Sequence, residues 1–173
     1  ADSSTIQKFL EKHSASLKPQ LHGLGFSERA PHRIENFNED SDGLRFDFLG
    51  EPWSSPLSGC FNAQNIASAV LAAHLRGSPL PYLKESVKKF KGLKRRQEVK
   101  WQSDREVVVD DFAHHPTAAR LVIEGLKKRF PAYRMVCFFE PRSNTTRRKL
   151  FQKDFVEAFS EVDVLFLASV FQS

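Results

Sequence analysis

Apolar residues along the chain recur with two different periods, and the change of period divides it into elements. Ile6, Phe9 and Leu10 lie at helical spacing inside Ser4 to Ser16, with Ser3 or Ser4 placed to cap, and Lys18-Pro19-Gln20 breaks the run. Leu24 to Phe26 and Arg33 to Phe37 read as short strands. Leu44-Arg45-Phe46-Asp47-Phe48 alternates strictly after the turn Asp40-Ser41-Asp42-Gly43, so a hairpin is expected there. Pro52 to Gly59 reads as loop. Asn62 to Arg76 carries an apolar stripe of Ile66, Ala69, Val70 and Ala73, and Gly77 ends it. A second helix follows Pro81, with Leu83, Val87 and Phe90 expected inward.

The second half has another rhythm. Gln97 to Trp101 and Val107 to Val109 read as strands joined by a turn, and Pro116 to Phe130 as a helix. Met135 to Phe139 is an apolar strand, Thr145 to Phe159 a helix and Val164 to Leu167 a last buried strand. Alternating strands and helices imply α/β architecture with a mainly parallel sheet. The alternation predicts Val107–Val109 and Met135–Phe139 in one sheet, with Asp111 and Glu140 at the carboxyl ends of nearby strands. A domain boundary is expected near Gly92.

Composition fits this picture. Of 173 residues, 40% are hydrophobic and 27% charged, a globular balance, and sixteen Phe can furnish a sizeable core. The net charge of +5 admits anionic partners, although a basic solvated surface is the commoner meaning of such a charge. The two cysteines, Cys60 and Cys137, form neither a disulfide framework nor a zinc motif, which points to a reducing cytoplasmic setting. No apolar run is long enough to span a membrane, so no membrane partner is expected. The chain opens on Ala and closes in a strand-like run, and it reads as a piece of a longer product.

Four segments carry chemistry. Asp110-Asp111-Phe112-Ala113-His114-His115-Pro116 lies between a strand and a helix, where open parallel sheets bind ligands. Its carboxylates suit a ribose or a hydrated Mg²⁺, and they equally suit capping of the helix; adjacent histidines without helical pairing make a metal site there the weaker reading. Asn62 and Asn65 share a helix face, and a carboxamide can match the N6/N7 edge of adenine, while an N-cap and a solvent Asn would look the same. Lys94-Arg95-Arg96-Gln97-Glu98 offers guanidinium forks for phosphate, or a solvated charge run. Glu140-Pro141-Arg142-Ser143-Asn144-Thr145 presents Arg142 at a helix start, where free N–H groups receive anions, or else a plainly capped helix. A phosphate loop of the G-x-x-x-x-G-K-[ST] type is missing from these residues.

The order of these segments is more specific than any one of them. Asn-x-x-Asn, then Arg-Arg-x-Glu, then Asp-Asp-Phe-Ala-His-His-Pro resembles the Mur ligase family, and Phe139 to Thr145 is similar to its murein peptide ligase branch. The resemblance implies the end of a central ATPase-type domain over residues 1–91 and a Rossmann-like C-terminal domain, incomplete, over 92–173. It implies ATP-dependent amide formation between UDP-N-acetylmuramate and the tripeptide L-alanyl-γ-D-glutamyl-meso-diaminopimelate, with ATP and Mg²⁺ as cofactors. Asn62, Asn65, Arg96 and Asp111 would contact ATP; His114, His115, Arg142, Ser143 and Asn144 would face the amino substrate. Mg²⁺ ligands and catalytic residues would lie outside these residues, leaving the chain inactive alone. The L-alanine-adding branch and folylpolyglutamate synthetase are the enzymatic alternatives. A basic nucleic-acid-binding module using Lys84 to Arg96 is the non-enzymatic one, and the core-like spacing of the aromatics argues against a nucleic-acid partner.

Overall fold

The computed structural model describes residues 4–13, 20–141, 146 and 151–169. The chain folds into two compact units. The first comprises residues 1–38, 43–56 and 60–90; the second comprises 39–42, 57–59 and 91–173.

In the first unit, α1 (Ser4–His13) is followed by β1 (Leu24–Gly25) and β2 (His32–Arg33), a short parallel pair. Three strands then form one sheet in the order β3 (Glu35–Asp40), β4 (Gly43–Phe48), β5 (Glu51–Ser55). Strict alternation puts Leu44, Phe46 and Phe48 on one face of β4, each at most 2% exposed. Trp53 joins them from β5 and donates its indole N–H to the Phe48 carbonyl at 2.9 Å, which satisfies the polar end of a buried ring.

The loop expected over Pro52–Gly59 is instead a strand in its first half. β5 is an edge strand antiparallel to β4, with Pro52 opposite Asp47, and an edge position tolerates proline's lack of an N–H donor. The turn before β4 needs Gly43: at φ +124° a Cβ would fall 2.1 Å from the Ser55 carbonyl oxygen.

The helix α2 (Cys60–Leu75) packs on β4 through Ala63, Ile66, Ala67, Val70 and Leu71. Ala69, expected in the stripe, is exposed, because the small residues Ala63 and Ala67 carry the close contact instead. On α3 (Leu80–Lys89) Leu83 and Val87 are half-buried, whereas Phe90 is 43% exposed because it lies past the helix end in extended backbone. Lys84 lies over the Trp53 ring at 5.9 Å and pairs with Glu51 at 2.5 Å, tying α3 to the sheet edge.

In the second unit, β6 (Glu98–Gln102) and β7 (Val107–Asp110) form an antiparallel hairpin with an irregularity between Val99 and Trp101. α4 (Pro116–Arg129) follows, with Ala119, Ile123 and Gly125 buried. β8 (Val136–Phe139) and β9 (Val164–Leu167) pair in parallel across α5 (Gln152–Ala158), and Phe139, Phe155 and Phe159 cluster at centroid distances of 4.9–6.0 Å.

The α/β class and the parallel β8–β9 pair agree with the sequence pattern. The single sheet does not: among the described residues β6–β7 and β8–β9 are separate two-stranded sheets. An apolar run marks a strand but does not choose its neighbour, and each of these four-to-five-residue strands bonds the partner nearest in chain order. The last strand is also not buried, with Leu165, Phe166 and Leu167 at 40–63% exposure. Among the described residues the aromatic cluster of α5 meets the Phe139 side of this pair, while Phe138 and Phe166 stack on each other at 4.8 Å with Phe138 78% exposed. No described helix is long and apolar enough to cross a membrane.

Candidate functional site

The second unit gathers the chemistry-bearing residues of two segments, 94–98 and 110–115. β6 starts at Glu98 and β7 ends at Asp110, and Glu98 is directly opposite Asp110 in the hairpin register. Antiparallel pairing therefore brings the residues before β6 beside those after β7.

Hydrogen bonds join the two stretches. The Phe112 N–H donates to the Arg95 carbonyl at 2.9 Å. The Asp111 carboxylate accepts the Gln97 N–H through Oδ2 at 2.8 Å and the Ala113 N–H through Oδ1 at 2.6 Å. Asp111 thus caps its own loop and the facing turn rather than α4. The N-cap position of α4 falls to His115, which makes no side-chain cap, and Pro116 starts the helix with its fixed φ.

Cationic groups converge on Phe112. The guanidinium carbons of Arg95 and Arg96 lie 4.9 and 5.6 Å from its ring centroid, and the His114 ring lies at 5.2 Å. Phe112 remains 46% exposed, so the cluster is open to solvent on one side. Arg95 pairs loosely with Asp110 at 3.8 Å. The Glu98 carboxyl is held below its ordinary value by the Lys100 ammonium at 2.7 Å and then by the Arg95 N–H at 2.8 Å. Two guanidinium groups over an exposed ring make a surface suited to an anion with a planar body.

The other expected residues are distributed as follows. His114 Nδ1 lies 3.0 Å from the Phe112 carbonyl oxygen, and His115 packs against Phe151 with centroids 5.3 Å apart. The adjacent imidazoles thus serve different neighbours. Asn62 and Asn65 lie near the start of α2 in the first unit, the former half-buried and the latter exposed. Arg142, Ser143 and Asn144 lie outside the described residues. Among the described residues, no three His, Cys, Asp or Glu side chains group so as to hold a metal ion.

Three residues have roles that are not evident from the sequence. Arg95 and Phe112 lie inside segments singled out for chemistry, but only the hairpin register puts them face to face. Glu39 stands beside the Asp40 turn and belongs to no motif, yet its side chain is 2% exposed and accepts the Gly59 N–H at 2.5 Å.

Comparison with known proteins finds Mur ligases both by sequence and by fold. Residues 95–171 match the family model described as the Mur ligase, glutamate ligase domain. The UDP-N-acetylmuramate–L-alanine ligase of Myxococcus xanthus is 33% identical over 98% of this chain and 36% of its own length. Among solved structures, the UDP-N-acetylmuramate-alanine ligase of Thermotoga maritima superposes with a TM-score of 0.74 at 19% identity, over 86% of this chain and 34% of that one. A murein peptide ligase of Psychrobacter arcticus superposes with a TM-score of 0.63 at 25% identity, over 96% of this chain and 35% of that one. The chain spans about a third of the length of these relatives. It is accordingly a member of the Mur ligase family, with residues 95–171 as its match to the family's glutamate ligase domain.

Proposed function

We propose that this chain belongs to an ATP-dependent ligase of the cytoplasm that joins the carboxyl of UDP-N-acetylmuramate to the amino group of the tripeptide L-alanyl-γ-D-glutamyl-meso-diaminopimelate, in peptidoglycan recycling. Residues 1–91 are the end of its central domain and 92–173 its C-terminal domain. The observation that carries the reading is the cluster of Arg95, Arg96, Phe112 and Asp111, an open cationic surface in a chain whose relatives bear the names of ligases. ATP supplies the phosphoryl group that activates the carboxyl. Arg96 and Asp111 serve the phosphate or ribose, Asn62 and Asn65 the adenine, and His114, His115, Arg142, Ser143 and Asn144 the amino substrate. Guanidinium groups offset the charge gathered when an anionic nucleotide meets an anionic sugar.

The tripeptide is chosen over free L-alanine because Phe139-Glu140-Pro141-Arg142-Ser143-Asn144-Thr145 resembles the murein peptide ligase branch, and the Psychrobacter arcticus enzyme is 25% identical over nearly the whole chain. L-Alanine is the second reading, favoured by the name of the 33% identical Myxococcus xanthus relative. The test of the common reading is release of ADP by the full-length enzyme. Release that requires both UDP-N-acetylmuramate and an amino substrate supports it; release indifferent to the sugar nucleotide contradicts it.

A further inference from the structure

The first unit brings two histidines together outside the site described above. β1 and β2 run in parallel with Leu24 opposite His32. The His32 N–H donates to the Gly23 carbonyl at 3.0 Å, and the Ile34 N–H to the Gly25 carbonyl at 2.8 Å. The backbones approach closely because residue 23 is glycine: a Cβ there would fall 2.9 Å from Pro31 Cδ. His22 and His32, the neighbours of Gly23 and Pro31, are thereby set side by side. His22 Nδ1 lies 3.2 Å from His32 Nε2, with ring centroids 5.4 Å apart. His22 is exposed and His32 half-buried, so the two nitrogens meet at the surface.

Two facing imidazole nitrogens either share one proton in a hydrogen bond or give both lone pairs to one metal ion. Zinc–nitrogen bonds of about 2.0–2.1 Å that meet at the tetrahedral angle put their nitrogens about 3.3–3.4 Å apart. The observed 3.2 Å is so close to this that a small turn of either ring closes the difference. We propose that His22 and His32 form a two-histidine site for Zn²⁺, with water in the remaining positions, which clasps the residue before β1 to β2. In the bound form each neutral ring carries its proton on the far nitrogen, His22 on Nε2 and His32 on Nδ1. One ring therefore exchanges tautomer, and no proton is lost from the pair. Imidazole suits zinc, whereas Mg²⁺ takes oxygen ligands, so the site is distinct from any that serves the nucleotide. It is independent of the ligase reading. Zinc held by the folded pair, and not by the separated histidines of the unfolded chain, stabilises the fold.

Zinc chloride titrated into the full chain, followed by nitrogen NMR of the histidine rings, tests this. Zn²⁺ should move the Nδ1 signal of His22 and the Nε2 signal of His32 together, with one midpoint, and Mg²⁺ at the same concentration should move neither. His22→Ala and His32→Ala should each weaken zinc binding by roughly tenfold or more, because the second imidazole of a pair binds at high effective concentration. His74→Ala, which removes a histidine of α2 in the same unit, should leave the midpoint where it was. Zinc should also raise the unfolding temperature of the unaltered chain and not that of His22→Ala. Rings unmoved by zinc, movement of one ring alone, an unfolding temperature that zinc does not raise, or zinc affinity that survives both substitutions would each overturn the site. The ring signals of the unaltered chain decide the matter even if His32→Ala does not fold.

Discussion

Glu39 Oε1 accepts the backbone N–H of Gly59 at 2.5 Å, and the other oxygen of the same carboxylate pairs with Lys128 at 3.4 Å. The Glu39 side chain is almost wholly enclosed, while that of Lys128 is more than half exposed. The hydrogen bond is therefore expected to outweigh the ion pair, which solvent screens. Glu39→Ala should destabilise the chain by about 1–3 kcal/mol, the cost of an orphaned buried donor. Glu39→Gln, which keeps an acceptor, should cost clearly less. Urea unfolding of both variants decides, and equal losses would contradict the ranking.

Gly125 lies inside α4, where glycine is a poor helix former. A Cβ there would stand 3.3 Å from the Gly59 backbone and from Gln97 Nε2, so the helix approaches this backbone closely because a side chain is missing. Gly125→Val should destabilise by about 1–3 kcal/mol through overpacking, against the gain from helix propensity. Unfolding midpoints measure it, and a stabilised Val variant would show that the contact yields freely.

Gly43 is a sharper case. Its φ of +124° and the 2.1 Å approach to the Ser55 oxygen leave no room for any side chain. Gly43→Ala should cost about 3 kcal/mol or more from strain and overlap combined. Circular dichroism melting should show the loss; wild-type stability would mean that the turn before β4 can adopt another form.

The pH behaviour of Glu98 follows from its partners. Lys100 and the Arg95 N–H favour the charged carboxylate and hold it below the ordinary value of 4.5. A lowered folded-state value stabilises the fold above the unfolded range, and that contribution is lost as pH falls through the lowered value. Carbon-detected NMR titration of the Glu98 carboxyl should give a midpoint below 4.5, moved upward by Lys100→Ala. A midpoint at or above the ordinary value would remove Glu98 from the support of the Arg95 turn.

Much of this organisation was legible in the chain. Strict alternation located β4, and the shift from period 2 to period 3.6 located α2 and α4, since both signals come from one buried face. The chemistry-bearing segments were legible as residue types at loop positions. What could not be read was who faces whom. The pairing of Glu98 with Asp110 decides that Arg95 meets Phe112, and a register is a long-range choice that no local pattern records. Nor could the sequence show Asp111 turning to Gln97 instead of α4, since an Asp before a helix is the ordinary signature of a cap. Pro52 misled for a related reason: proline reads as loop unless the strand is known to be an edge.

The most direct measurement is the acceptor preference of the full-length enzyme, with ATP and UDP-N-acetylmuramate saturating and the product identified by mass. Free L-alanine and the tripeptide L-alanyl-γ-D-glutamyl-meso-diaminopimelate are varied in turn. The tripeptide assignment predicts a higher kcat/KM for the tripeptide, with Arg142→Ala lowering that value by roughly tenfold or more through loss of a charge-assisted contact while the ATP KM stays unchanged. A preference for L-alanine would contradict the tripeptide assignment and leave the UDP-N-acetylmuramate ligase. No amide product from either acceptor would contradict the ligase function as a whole.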